Sequence, residues 1–101
     1  MREDRLSPRL RKQLAKENAP WQHALDRLRE RHMADADLPT LKLLAVCAHL
    51  ACKLNGKTAT SRVVARENDE SWVVEVDAFE DRKKILMVMN PKTGIPRTVL
   101  P

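Results

Sequence analysis

Aromatic residues are scarce in this chain of 101 residues, which contains two Trp, one Phe and no Tyr. Any core must therefore be built mainly from Leu, Val, Ile, Ala and Met side chains. Hydrophobic residues nevertheless make up 43% of the chain and charged residues 33%, which is typical of a globular protein and too apolar for a disordered one. The length predicts a single domain over residues 1–101.

Cysteine and histidine are also scarce, and their spacing favours no metal site. Cys47 and Cys52 lie five residues apart in a predicted helix, a spacing that suits neither a disulfide within one helix nor a zinc knuckle. None of His23, His32 and His49 has a second ligand three or four residues away. We therefore predict no metal and no cofactor, with buried thiols and a hydrogen-bonded His49.

No run of apolar residues approaches the roughly 18 to 20 that would span a bilayer. The charged start, residues 1–5, leads into no apolar signal core. We expect a cytoplasmic protein without membrane insertion.

Helix signals fill the first half of the chain. We predict a flexible tail over residues 1–6, after which Ser7 and Pro8 form a good helix start. Because Pro20 interrupts the pattern, we interpret residues 7–33 as a basic helical hairpin.

The next segment, residues 38–55, is predicted to contain the core helix, residues 39–54. This helix is apolar nearly all round, which is typical of a helix that is buried on most sides. Asn55 and Gly56 are expected to end it.

The apolar period changes to two after the helix, so residues 58–100 are predicted to form an antiparallel sheet. Trp72, Val74 and Val76 alternate with Val73, Glu75 and Asp77 and are expected to face the core helix. The five apolar residues 85–89 indicate a central strand that is covered on both faces.

The final strand contains Pro96, which suggests an edge position. The predicted fold class is therefore α+β, with two or three N-terminal helices followed by a three- to four-stranded antiparallel meander packed on helix 39–54.

Positive charge is concentrated near the N-terminus. The net charge is +5, and residues 1–33 hold nine Lys or Arg against five acids. Such a surface can neutralise phosphates or an acidic protein face, although an ordinary solvated helix face has the same pattern. The candidate partner or phosphate contacts are Arg9, Arg11, Lys12, Lys16, Arg27, Arg29 and Arg31.

No motif for catalysis is evident. Gly56-Lys57-Thr58 lacks the upstream glycine and the strand-to-helix context of a phosphate-binding loop. Glu75 and Asp77 share one strand face and could serve acid–base chemistry, but the solvated face of a sheet has the same pattern. We predict no catalytic residue.

Thirty residues, about 54–83, resemble the core of the gas-vesicle accessory protein O family. Its order is a helix before a Gly-containing turn, a strand, an acidic turn, a Trp-led strand and an acidic–basic corner. The matching segments are Leu54-Asn55-Gly56-Lys57, residues 63–66, residues 69–76 and Glu80-Asp81-Arg82-Lys83. The family's Tyr- and Arg-rich ending is missing. This resemblance implies a non-enzymatic role in assembly or interaction.

At the level of the fold, the chain also resembles small RNA-cleaving toxins of the RelE kind, which are basic and pack helices against an antiparallel sheet. The ending Met89-Asn90-Pro91-Lys92-Thr93-Gly94 looks like the last hairpin of some toxin domains. This resemblance implies that the fold brings together residues that contact an RNA phosphate and stabilise the transition state. The candidates are Arg62, Arg66, Lys83, Arg97 and Thr98.

We therefore expect a small non-enzymatic accessory or interaction protein that docks on a macromolecular partner, as an assembly factor, adaptor or inhibitor. A protein partner is the leading expectation. The alternative is a basic protein that acts on nucleic acid, such as a RelE-like ribonuclease toxin.

Overall fold

The computed structural model describes residues 7–78 and 83–101. Two helices precede four strands, which confirms the predicted α+β class and the helix-then-sheet order. The predicted tail, residues 1–6, and part of the charged corner, residues 79–82, lie outside the described residues. The elements are α1 (Pro8–Arg31), α2 (Leu38–Lys53), β1 (Ser61–Asn68), β2 (Ser71–Asp77), β3 (Lys84–Met89) and β4 (Pro96–Val99).

Neither helix in the described part of the chain is both long enough and apolar enough to cross a membrane.

Helix α1 is one continuous helix, so the predicted hairpin over residues 7–33 is wrong. The helix begins as expected, with the Ser7 hydroxyl accepting a hydrogen bond from the backbone N–H of Leu10 at 3.2 Å. Pro20 lies inside it, although an interior proline costs about 3 kcal/mol. The helix continues because its second half is anchored by burial of Leu25 and Leu28.

The sheet is a meander with strand order β1-β2-β3-β4, and all neighbouring strands are antiparallel. Strand β3 is therefore central and β4 is an edge strand, both as predicted. The prediction that β3 is covered on both faces is wrong. Ile85, Met87 and Met89 are buried in the core, whereas Leu86 and Val88 on the opposite face are only half-buried.

The core lies between the helices and one face of the sheet. Val74 and Val76 are fully buried there, which confirms the side of β2 that was predicted to face inward. Register places Trp72 on the same face, opposite the buried Met89, where it is half-buried. Helix α2 packs over β1 and β2, while the second half of α1 runs beside β4. The core residues are Ala24, Leu25, Leu28, Ala36, Leu41, Leu44, Ala45, Ala48, Ala51, Val74, Val76, Ala78, Ile85, Met87, Met89 and Val99.

The edge of β4 is closed by α1. The Arg31 guanidinium donates to the carbonyl oxygen of Val99 at 2.6 Å, and His32 Nε2 lies 2.7 Å from the carbonyl oxygen of Leu100. Both side chains leave the end of α1, so they fix the helix along this edge. Strand β1 is the other edge of the sheet: among the described strands it pairs with β2 alone, and the start of its outer edge is bridged by the preceding segment, where Lys57 pairs with Arg62.

Candidate docking surface

Helix α2 starts at a well-formed cap. The carboxylate of Asp37 accepts hydrogen bonds from the backbone N–H of Thr40 at 2.9 Å and from its hydroxyl at 2.6 Å. The hydroxyl and then the N–H of Thr40 hold the pKa of the Asp37 carboxyl below its usual value. At the other end, Gly56 has φ +83°, a left-handed conformation that glycine adopts without strain.

One face of α2 faces the sheet. Its buried residues follow helical spacing and pack against β1 and β2, and they are mostly small, which brings the helix close to the strands. They are Leu41, Leu44, Ala45, Ala48 and Ala51.

The opposite face of α2 is apolar and exposed. Leu43, Val46, Leu50 and Leu54 keep 52%, 55%, 46% and 56% of their surface accessible; we call these four residues the α2 outer stripe. The prediction that this helix is buried on most sides is therefore wrong. Helix α1 is one continuous helix that packs mainly beside β4, and it leaves this face of α2 uncovered.

The stripe is continuous along the helix. Its residues are spaced by three, four and four positions. Leu43, Val46 and Leu50 lie on one side of α2, and Leu54, the C-cap, continues their row to a length of about 16 Å at 1.5 Å per residue. Single exposed Leu or Val residues are normal on protein surfaces, but a contiguous row of four marks an interaction surface.

Positive charge borders the stripe. Lys42 and Lys53 lie exposed along one side of it, and the sixteen residues of α2 include no acid. The Lys42 ammonium lies 5.5 Å from the centre of the Trp21 ring on α1, within the range of a cation–π contact. This side of the surface is therefore basic and continuous with α1.

The other side of the stripe adjoins the edge strand. The Ser61 hydroxyl of β1 donates to the backbone carbonyl of Cys47 at 2.7 Å, so α2 is fastened to this strand. Cys47 and Cys52 are half-buried and carry free thiols. Burial raises the pKa of the Cys52 thiol, and the nearby Arg66 opposes this effect only in part.

The seven basic residues predicted as contacts fall into two groups by their position along α1. Three lie on the second half of α1 and have partners within the chain: Arg27 pairs with Glu30 at 2.7 Å, Arg29 donates to the Ala36 carbonyl at 2.6 Å, and Arg31 donates to Val99. The other four lie exposed on the first half of α1: Arg9, Arg11, Lys12 and Lys16.

The set implied by the toxin resemblance does not meet at one point. Arg66 stacks over the Trp72 ring at 4.7 Å, whereas Arg62 pairs with Glu75 at 3.4 Å. Arg97 donates to the Ser71 hydroxyl at 2.9 Å. Strand register puts Thr98 opposite Val88 on the side of the sheet away from the core, and Lys83 is exposed before β3.

Glu75 and Asp77 line a shallow polar pocket of about 290 Å³ beside the start of β1. The Glu75 carboxylate lies 3.4 Å from both Arg62 and Lys84. Two cations thus neutralise this carboxylate, and the pocket is open to solvent.

Two of the three histidines contact backbone carbonyl oxygens near the C-terminus, His32 at Leu100 and His49 at Pro91. His49 Nε2 lies 3.0 Å from the carbonyl oxygen of Pro91, in the turn before β4, which confirms the prediction that His49 is hydrogen-bonded. His23 is exposed. Within residues 7–78 and 83–101, no three His, Cys, Asp or Glu side chains are grouped so that they could hold a metal ion.

In comparisons with known proteins, no protein-family model, no curated protein and no solved structure matches the chain.

The α2 outer stripe is the feature that sequence reasoning missed. The all-round apolar character of residues 41–54 is visible in the sequence, where it predicts burial on most sides. The number of elements available to pack on α2 is the useful signal. A sheet buries one face of a helix, and burial of the opposite face needs a further helix beside it. The sequence offered only the segment before Pro20 for that purpose.

Proposed function

We propose that this chain is a non-enzymatic docking protein, and that the α2 outer stripe is the surface by which it binds a protein partner. The observation that carries the proposal is the exposure of Leu43, Val46, Leu50 and Leu54 in one row. Burying the exposed half of each of these side chains contributes about 1 kcal/mol, so covering the stripe stabilises a complex appreciably.

The surroundings of the stripe support a binding role. Asp37 and Thr40 cap α2, while His49 and Cys47 tie it to the sheet. A helix that is held in this way presents its outer side chains without having to order on binding, which lowers the entropic cost of association.

The contacts of Glu75, His32 and His49 support a non-catalytic function. Glu75 is neutralised by Arg62 and Lys84, and the rings of His32 and His49 bond to backbone carbonyls. These groups serve the fold. The assembly role implied by the gas-vesicle resemblance is a narrower version of this proposal and stays a prediction.

The test is capture of bound molecules from cell lysate by the tagged chain, with and without nuclease. Leu50→Glu should abolish capture of a discrete protein, because it places a charge in the middle of the stripe. Leu10→Glu is the matched control, since Leu10 on α1 has the same exposed fraction, 46%. Capture that survives Leu50→Glu would overturn the proposal.

Nucleic-acid binding is the second candidate function. The observation that favours it is the exposed first half of α1, which carries Arg9, Arg11, Lys12 and Lys16 against the single acid Glu17. Phosphate binding by this helix would weaken steeply with salt. This function would be favoured over the first if the chain captures nucleic acid, if nuclease removes it, and if charge reversal of Lys12 and Lys16 abolishes its capture.

A further inference from the structure

We infer that the α2 outer stripe takes up an amphipathic helix of another protein, whose apolar residues are bordered by Asp or Glu. The inference rests on the proposed function and adds the chemistry of the partner. Three properties of the surface carry it: the closed backbone of α2, the length of the stripe, and the charge beside it.

The backbone of α2 decides the conformation of the partner. The peptide groups within α2 are bonded to one another, so its outer face offers side chains only. An extended segment laid on the stripe would bury N–H and C=O groups with no partners, which costs free energy. A helix satisfies its own backbone groups and can bury an apolar row against the stripe.

The length of the stripe sets the length of the partner. Leu43 lies in α2 and Leu54 is the residue that caps its C-terminal end, eleven positions later, so the stripe is about 16 Å long. A partner helix needs at least three turns to cover it, with apolar residues at spacings of three and four. Each apolar residue of the partner can then pack between those of α2.

The charge beside the stripe decides the polar residues of the partner. Lys42 and Lys53 border it and α2 contains no acid. Acidic residues beside the partner's apolar row would face these lysines, as charges beside a helix–helix seam do in coiled coils.

A second copy of this chain fits the surface less well. In an antiparallel symmetric pair, Lys42 of one copy would approach Lys53 of the other, and like charges at a seam oppose pairing. In a parallel pair, the lysines would face a side of α2 that has no acid either. The surface is apolar enough to associate, but its charge selects a different partner.

The test uses two labelled synthetic peptides of eighteen residues that form helices and share one Leu row. One peptide has Glu on both sides of the row and the other has Lys. Binding to the full chain is followed by fluorescence anisotropy at two salt concentrations. We expect the Glu peptide to bind at least tenfold more tightly than the Lys peptide, with a preference that shrinks at high salt.

Charge-reversal variants locate the contact. Lys53→Glu should weaken binding of the Glu peptide about three- to tenfold, as expected when an exposed ion pair becomes a like-charge pair. Lys92→Glu is the matched control, because it makes the same change in net charge at an exposed residue of the turn before β4. It should leave the affinity unchanged. Circular dichroism of both variants verifies that the fold is retained.

Each contrary result has a definite meaning. Equal or tighter binding of the Lys peptide, or no binding of the Glu peptide, would overturn the inference. So would a dimer in light scattering that Leu50→Glu converts into a monomer. In the lysate experiment, a partner that is lost with Leu50→Glu but captured in undiminished amount by Lys53→Glu would overturn the acidic chemistry while the docking function stands. A partner that both variants keep would remove the docking function itself.

Discussion

The imidazole of His49 lies against the backbone of Gly94, and it leaves no room for a side chain there. A Cβ atom built on Gly94 would lie 2.5 Å from His49 Nδ1 and 2.9 Å from its Cε1. Gly94 also has φ +74°, which a residue with a side chain rarely adopts. Through His49, the turn between β3 and β4 therefore fixes α2 over the sheet.

Gly94→Ala should lower the free energy of unfolding by about 2 to 4 kcal/mol, the sum of left-handed strain and overpacking. Urea denaturation would measure it. Gly56→Ala is the matched control, since Gly56 also has positive φ but its nearest neighbour is the end of the flexible Arg66 side chain, at 3.2 Å. Its cost should be the smaller of the two. Adding His49→Ala to Gly94→Ala should recover part of the loss, and equal costs for both glycines would contradict the close packing.

Leu43 and Leu44 are neighbours in sequence but belong to opposite faces of α2. Leu44 is 1% exposed, so Leu44→Ala should cost about 2 to 5 kcal/mol through lost burial and the cavity left behind. Leu43→Ala should change the free energy of unfolding by less than about 0.5 kcal/mol. Denaturation of the two variants side by side measures the difference. A similar loss in both would mean that another part of the chain covers the stripe.

Val74 tests the register of the sheet. Because it is fully buried, Val74→Asp places an unpaired charge in the core, and a loss of at least about 3 to 5 kcal/mol should unfold the domain. Circular dichroism and thermal melting would detect it. Val64→Asp, at a partly exposed position of β1, should melt close to the unchanged protein. A folded Val74→Asp variant with an undiminished melting temperature would show a register error of one residue.

Pro20 tests the continuity of α1. Pro20→Ala restores a backbone N–H and removes a residue that disfavours a helix interior by about 3 kcal/mol. Hydrogen exchange should therefore show stronger protection of the amides in the first half of α1. Gln13→Ala, away from the proline, should leave this protection nearly unchanged. Weaker protection in Pro20→Ala would instead indicate that the chain needs a break at this point.

Asp37 gives a pH dependence with a defined sign. Because Thr40 lowers the pKa of this carboxyl in the folded protein, its contribution to stability is present above the unfolded pKa of about 3.9. That contribution is lost as the pH falls through the lower folded pKa. The melting temperature should therefore fall less steeply below about pH 4 in Asp37→Asn, which keeps a capping oxygen without the titrating charge. Asp37→Ala should also melt lower at neutral pH, and identical acid profiles in all three proteins would refute the assignment.

Local chemistry was readable from the sequence. The Ser7-Pro8 start of α1, the end of α2 before Gly56 and the alternation of β2 depend on neighbouring residues only. The edge position of β4 followed from Pro96, which cannot donate to a strand ladder. These features gave the helix-then-sheet order and the core side of the sheet.

The α2 outer stripe depended on the tertiary structure. Apolar residues on all sides of a helix indicate that every side is to be buried. They do not show whether the element that buries it belongs to the same chain. That was decided by α1, which continues through Pro20 as one helix and whose second half is held on the core by Leu25 and Leu28. Local propensity makes a break at a proline favourable, whereas packing of the following turns determines the direction of the whole helix. The sequence by itself thus determined the elements and their inward faces, and only the tertiary structure decided which apolar face was left for a partner.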